Sequence, residues 1–186
     1  PKKGLALRGQ ETASRCMPCA CFAMFEHSFG AVYDASSLVL ILGSFPSVKS
    51  REQGFYYAHP QNRFWRVMGA VTGEDVPDGK EARRVFLLRN RIALWDVLAA
   101  CDVTGSSDAS IRNAVPNDLS SLLNGSSVRK IFVNGRTAAT LYDRFLLSQT
   151  GIPAVCLPST SPANARCSLD RLTGIWKQEI HPFLLK

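Results

Sequence analysis

Three stretches of this chain gather residue types that can do chemistry. They are Gly43-Ser-Phe-Pro-Ser47, Gly54-Phe-Tyr-Tyr-Ala-His-Pro-Gln-Asn-Arg-Phe-Trp65 and Leu157-Pro-Ser-Thr-Ser-Pro-Ala-Asn-Ala165. They supply tight-turn residues, aromatic faces and an amide, Asn62, at the start of a helical pattern. Aromatic faces stack on planar rings, and hydroxyls and main-chain N–H groups suit carbonyl and phosphate oxygens. Those are the parts needed to grip a planar base. The same residues have plainer uses. Phe64 and Trp65 open an apolar stripe and read as core, whereas Tyr56 and Tyr57 precede a proline turn and read as available to a ligand. Ser159 to Asn164 read equally as a solvated loop.

The motifs of commoner chemistries are missing. The chain has no G-x-x-x-x-G-K-S/T phosphate loop, no G-x-G-x-x-G after a strand, no G-x-S-x-G elbow and no H-E-x-x-H. Of His27, His59 and His181, only His59 falls in a site segment, where a turn ahead of Pro60 also explains it. Cys16, Cys19 and Cys21 form C-x-x-C-x-C, short of the four ligands a structural metal needs. A zinc or iron–sulfur site would have to recruit Cys101 or Cys167; a reduced, intracellular chain is the simpler account. Cys156, in an apolar run, reads as a small core residue. No metal and no cofactor is expected.

The 186 residues suit one domain. Residues 1–23 read as a leader and 24–186 as the domain, with Met24 a natural first residue. Basic residues punctuate residues 1–15 and no apolar core follows them, unlike a secretory signal. No apolar run approaches the roughly 18–20 residues of a membrane span, so no membrane partner is expected. Lys and Arg number 22 against 15 Asp and Glu, a net charge of +7. That surplus points to a polyanionic partner, nucleic acid foremost.

The elements that must position these segments alternate along the chain. Leu38 to Leu42 is a strand buried on both faces. A loop over 43–61 follows it. Phe64, Val67, Met68 and Val71 fall at i, i+3, i+4 and i+7 of a helix that Gly73 stops. A helix over 78–90, a strand over 92–98 and a polar loop over 102–117 come next. Asn117 or Asp118 caps a short helix ended by Gly125. Val128 to Val133 is a third strand, Ala138 to Leu146 a helix, Pro153 to Leu157 a fourth strand, and Leu169 to Trp176 marks the last helix. Alternation of this kind implies right-handed crossovers. The fold class is α/β, a three-layer sandwich with a central four-stranded parallel sheet flanked by helices. Ligands of such sheets bind beyond the carboxyl ends of the strands, where all three segments lie.

The segments resemble the uracil-DNA glycosylase superfamily, and in particular its hypoxanthine-DNA (deoxyinosine) glycosylase branch. Phe55 to Trp65 is also similar to a loop of mismatch-specific uracil-DNA glycosylases. Ser110-Ile-Arg-Asn-Ala-Val-Pro-Asn-Asp118 and Leu157 to Asn164 resemble the hypoxanthine branch. The resemblance runs from about Met24 to the C-terminus. It implies cleavage of the bond between a deaminated base and deoxyribose. Many members have Asn or Asp where this chain has Phe45, and a histidine where it has Leu157. Both departures fit the hypoxanthine branch, in which the catalytic amide lies in the HP-x-N segment; the match falls on Asn62.

The mechanism so implied begins with a nucleotide rotated out of the DNA into the pocket. Tyr57 stacks on the flipped base and Phe45 closes the other side, while backbone N–H groups of the turn Gly43, Ser44 and beyond meet a base carbonyl. Asn62 orients water toward an oxocarbenium-like sugar. Ser47, Ser159, Thr160, Ser161, Asn164 and Arg166 contact the DNA, Ser159 to Asn164 either pressing into the gap or holding flanking phosphates. Asp96 either accepts from the base or serves as a cap or salt-bridge partner. Asn134 either faces the pocket or tolerates a turn. Arg63, Arg66 and Arg112 reach phosphates or are solvated charges. No lysine is placed for a Schiff base, Lys49 being nearest, so a monofunctional enzyme leaving an abasic site is expected. The expected partner is single- or double-stranded DNA carrying a deaminated base, met by a monomer in the cytoplasm, nucleoid-associated, or in a nucleus. The same fold acting on uracil or mismatches, or binding nucleic acid without catalysis, remains the alternative.

Overall fold

The five-residue run Val39–Gly43 is buried at every residue, and the rest of the molecule is arranged around it. The computed structural model describes residues 24–105 and 107–184. In chain order the elements are β1 (Met24–Glu26), β2 (Val39–Gly43), α1 (Val48–Gln53), α2 (Phe64–Thr72), α3 (Lys80–Arg89), β3 (Ile92–Asp96), β4 (Leu98–Asp102), β5 (Arg112–Pro116), α4 (Ser120–Asn124), β6 (Lys130–Asn134), α5 (Arg136–Phe145), α6 (Leu147–Thr150), β7 (Ala154–Leu157) and α7 (Leu169–Leu184). A single 3-10 turn, Asp108–Ser110, precedes β5.

Strands β3-β2-β6-β7 form a wholly parallel sheet in that order. A β-strand points successive side chains to opposite faces, so a strand buried on both sides feeds two cores. Val39 and Ile41, with Ile92, Leu94 and Phe132, pack on Phe64, Val67 and Met68 of α2, Phe86 of α3 and Trp176 of α7. Leu40 and Leu42, with Ala93, Ile131 and Val133, pack on Leu122 of α4 and on Ala138 and Tyr142 of α5. The result is the expected three-layer α/β sandwich. Large-to-small changes at such fully buried positions typically cost about 2–5 kcal/mol.

Several expectations are corrected. The single strand over 92–98 is two strands, because the chain turns at Val97 and enters a second sheet, β1-β4-β5, paired antiparallel. That sheet also claims Arg112–Pro116 from the supposed loop over 102–117. The loop over 43–61 contains α1, capped by Ser47, whose Oγ accepts from Ser50 N. Cys156 is exposed, on β7 at the edge of the sheet, rather than in a core. Cys101 and Cys167 are buried in the two different apolar clusters. Burial pushes the Cys101 thiol up to about 11. The C-x-x-C-x-C cysteines and the leader lie outside the described residues. No helix among the described residues is long and apolar enough to cross a membrane.

Candidate functional site

Parallel strands deliver their last residues to one edge. Gly43 ends β2, Asp96 ends β3, Asn134 ends β6 and Leu157 ends β7. A cavity of about 350 Å³ opens above that edge. Ligand pockets span about 300–1,000 Å³, so it suits a small planar group. It is lined by Gly43, Ser44, Phe45, Ser47, Tyr57, Asn62, Asp96, Asn134, Ser159, Thr160 and Ser161, all of them sequence candidates. Asn164 and Arg166 do not line it. Asn164 Nδ2 donates to Ser159 O, 2.9 Å away, and Arg166 is exposed beside the loop.

Asn62 reaches the cavity through a turn in which its N–H donates to His59 O at 2.9 Å. Its Oδ1 accepts from Phe64 N at 3.0 Å, at the start of α2. A main-chain N–H can only donate, so this bond fixes which end of the amide is oxygen. Asn62 Oδ1 also accepts from Thr160 Oγ1 at 2.9 Å. Thr160 Oγ1 in turn accepts from Asn134 Nδ2 at 2.9 Å, and Asn134 Oδ1 accepts from Thr160 N at 3.0 Å. A second main-chain N–H thereby fixes the second amide. Asn134, Thr160 and Asn62 form a chain of hydrogen bonds in which each donor and acceptor is assigned. Thr160, expected at a phosphate, is fully buried and its hydroxyl proton goes to Asn62 Oδ1. Asn134 faces the pocket, which resolves its two readings.

Arg63, read as a phosphate contact or a solvated charge, is neither. Its guanidinium donates to the carbonyls of Thr160, Ser161, Asn164 and Cys167. Charge-assisted bonds of this kind are about twice as strong as neutral ones. They fasten the loop after β7 to the start of α2. Trp176 of α7 adds a bond from its Nε1 to Pro158 O, 3.0 Å away. Within the loop, Ser159 Oγ accepts from Ser161 N and Ser161 Oγ from Ala163 N.

Tyr57 stacks on Phe64 with ring centroids 3.9 Å apart and accepts from Asn134 Nδ2 at 3.0 Å. Its φ is 51°, in the left-handed region that a bulky residue enters only when its surroundings hold it there. Burial first, and the Asp96 charge second, raise its hydroxyl well above the ordinary tyrosine range. It therefore stays protonated and can donate. Tyr56 also lines the cavity, but it is 2% exposed and its hydroxyl is committed to Gly30 O, so most of its ring packs in the core.

Asp96 has both of its expected roles open to it, for it lines the cavity and is paired. Its Oδ2 lies 2.8 Å from His27 Nε2, with both side chains about 5% exposed or less. Gly43 makes room for it: a Cβ there would come within 2.2 Å of Asp96 Oδ1 and 3.1 Å of the Tyr57 hydroxyl. Ser44 Oγ donates to Asp108 Oδ1 at 2.8 Å. Burial raises the Asp108 carboxyl; the Ser44 bond lowers it and the Asp96 charge raises it again.

Sequence reasoning missed His27 and Asp108. Nothing local marks His27, which reaches the site only because β1 pairs with β4. Asp108 sits inside a Ser/Asp/Gly stretch that reads as a solvated loop, though its proximity to the resembling segment Ser110 to Asp118 was a usable signal. His59 lines the cavity and its Nδ1 accepts from Gln61 N, as a turn histidine does. Leu157 is buried at 1% exposure. Among the described residues no cluster of three or more His, Cys, Asp or Glu could hold a metal ion.

Comparison with known proteins places this geometry. The chain is 40% identical over 150 residues to a hypoxanthine DNA glycosylase of Methanosarcina acetivorans, covering 80% of this chain and 94% of the relative. It is 34% identical over 153 residues to a hypoxanthine DNA glycosylase of Methanosarcina barkeri, covering 81% and 96%. The solution NMR structure of a candidate uracil DNA glycosylase from Methanosarcina acetivorans superposes with a TM-score of 0.73 at 37% identity, over 87% of this chain and 99% of that one. The uracil DNA glycosylase superfamily model matches residues 30–178, so the edge-of-sheet cavity and the three segments around it belong to a member of the uracil DNA glycosylase superfamily.

Proposed function

We propose that this protein is a monofunctional DNA glycosylase of base-excision repair that hydrolyses the N-glycosidic bond of deoxyinosine and leaves an abasic site. The observation that carries this reading is the hydrogen-bond chain from Asn134 through Thr160 to Asn62, which sets one amide at a cavity of single-base size. The names of the two Methanosarcina relatives support hypoxanthine as the base.

In this reading the lesion nucleotide leaves the stack and enters the cavity. The Tyr57 ring lies against the base, a contact worth about 1–3 kcal/mol by comparison with other base–aromatic pairs. Phe45 covers the other face. Asp96 accepts the N1–H of hypoxanthine, and main-chain N–H groups of the turn after Gly43 meet O6 and the charge on the departing ring. The remaining O–H protons of Ser47, Ser159 and Ser161 suit phosphate oxygens. Arg166, exposed on the same loop, adds charge for the DNA backbone. The substrate is one deaminated nucleotide in single- or double-stranded DNA, the enzyme acts as a monomer, and its place is the cytoplasm, nucleoid-associated, or a nucleus.

The test is a duplex carrying one deoxyinosine, incubated with protein, treated with alkali and resolved on a gel. Strand breaks at inosine that persist in EDTA and vanish in Asn62→Ala support the assignment. Cleavage at uracil with none at inosine would move the protein to a uracil- or mismatch-directed role. Binding without cleavage of either would leave it a nucleic-acid-binding module.

A further inference from the structure

Hydrolysis of an N-glycosidic bond requires the attacking water to lose a proton as its oxygen bonds to C1′. Asn62 has no lone pair to take it. Its Oδ1 already accepts from Phe64 N and Thr160 Oγ1, and its Nδ2 is a donor. The carboxylates and imidazole lining the cavity among the described residues are Asp96, His59 and Asp108. His59 Nδ1 accepts from Gln61 N, which leaves the proton on Nε2. Asp96 is held on one oxygen by His27 and presses the other toward Gly43, at the floor where the base is read. Asp108 is different. Ser44 Oγ anchors its Oδ1, and its Oδ2 makes no hydrogen bond to another described residue.

We propose that Asp108 is the general base, its carboxylate taking the proton from the water that attacks C1′ while Asn62 holds that water in place. This rests on the glycosylase reading. In the step, a water lone pair forms the C1′–O bond and the C1′–N9 bond breaks with its electron pair on N9. One water proton passes to Asp108 Oδ2. Asp108 then returns that proton through solvent to the departed purine anion, giving neutral hypoxanthine, an abasic hemiacetal and the carboxylate restored. Asp108 is exposed at the cavity mouth, and the partial desolvation there and the Asp96 charge favour its protonated form while the Ser44 bond opposes them. The titratable neighbours that face it are Asp96 from β3, Tyr57 from the loop before α2 and Cys101 from β4. Tyr57 and Cys101 are both raised and stay protonated at neutral pH, so neither competes for the proton.

The experiment is single-turnover excision from a deoxyinosine duplex across pH, with Asp108→Asn and Asp108→Glu beside the wild type and duplex affinity measured for each. Asp108→Asn keeps an oxygen for Ser44 and removes the base. Its rate at neutral pH is expected to fall by about 10²-fold or more. Its affinity should stay within about threefold, the limit set by its unaltered contacts with Ser44. The wild-type loss of rate toward acid should be absent in Asp108→Asn, and Asp108→Glu should recover part of the rate. An Asp108→Asn enzyme as fast as the wild type, with the acid limb intact, overturns the inference alone. A wild type that excises no deaminated base overturns the inference and the glycosylase reading together.

Discussion

The cavity is bounded by two sets of side chains that are held by different physics. Asn62, Thr160 and Asn134 are neutral, and two main-chain N–H groups dictate the direction of every hydrogen bond among them. Asp96 and Asp108 are carboxylates, one steadied by a buried histidine and the other by a serine hydroxyl. The neutral set has no protonation state to change, so its geometry is insensitive to pH. The charged set is placed where charge is needed and carries the cost of desolvation. Geometry and charge are thus supplied by separate elements: the neutral set by the turn before α2, β6 and the loop after β7, the charged set by β3 and the turn before β5.

Breaking the neutral set at its end should have the largest effect. Asn62→Ala is expected to lower single-turnover excision of deoxyinosine by about 10³-fold, the upper range for loss of one preorganised polar group. Gel-shift affinity for the same duplex should persist. Breaking the charged set is next, and it acts on stability. His27→Ala leaves Asp96 buried without its partner, which costs about 3–5 kcal/mol. Urea unfolding would show it as a lowered midpoint, with the slope unchanged. An unaltered midpoint would mean that Asp96 finds solvent or another donor.

A smaller change sharpens the comparison. Thr160→Val preserves shape but leaves Asn134 Nδ2 with only its bond to Tyr57 and withdraws one donor from Asn62. The expected cost is about 1–3 kcal/mol in urea. Excision should slow by about tenfold, equally at every pH, since no charge is altered. The smallest effect concerns the stability of Asp108→Asn. A carboxyl raised in the folded state is destabilising when ionised, so the penalty is absent below the unfolded value and grows as pH rises through the folded one. Asp108→Asn should therefore unfold at the same or higher urea concentration than the wild type at neutral pH. The two should converge in acid. Lost activity without lost stability is what separates a working carboxylate from a structural one.

The periodicities of the chain determined most of the scaffold. A five-residue apolar run implied a strand buried on both faces, and the i, i+3, i+4, i+7 stripe from Phe64 implied α2 with its stop at Gly73, which is the left-handed cap of that helix. Because parallel strands send their carboxyl ends to one edge, the order of elements also determined that the segments after β2, before α2 and after β7 share a site. What stayed illegible depends on contacts distant in sequence. His27 meets Asp96 across 69 positions and Thr160 meets Asn62 across 98. Neither pairing has a local period. Cys156 went astray because an edge strand and a central strand can carry the same apolar run, and only the sheet order distinguishes them. Val97 divides one apparent strand into two because Asn117 N bonds its carbonyl and draws the chain into the second sheet. Residue types and spacing therefore pointed to the segments that reach the cavity edge, but not to Asp108, and they included Asn164 and Arg166, which do not line it. The tertiary structure alone decided which of their lone pairs are already taken, because a hydrogen bond is fixed by the partner's direction and distance, and those belong to the packed chain.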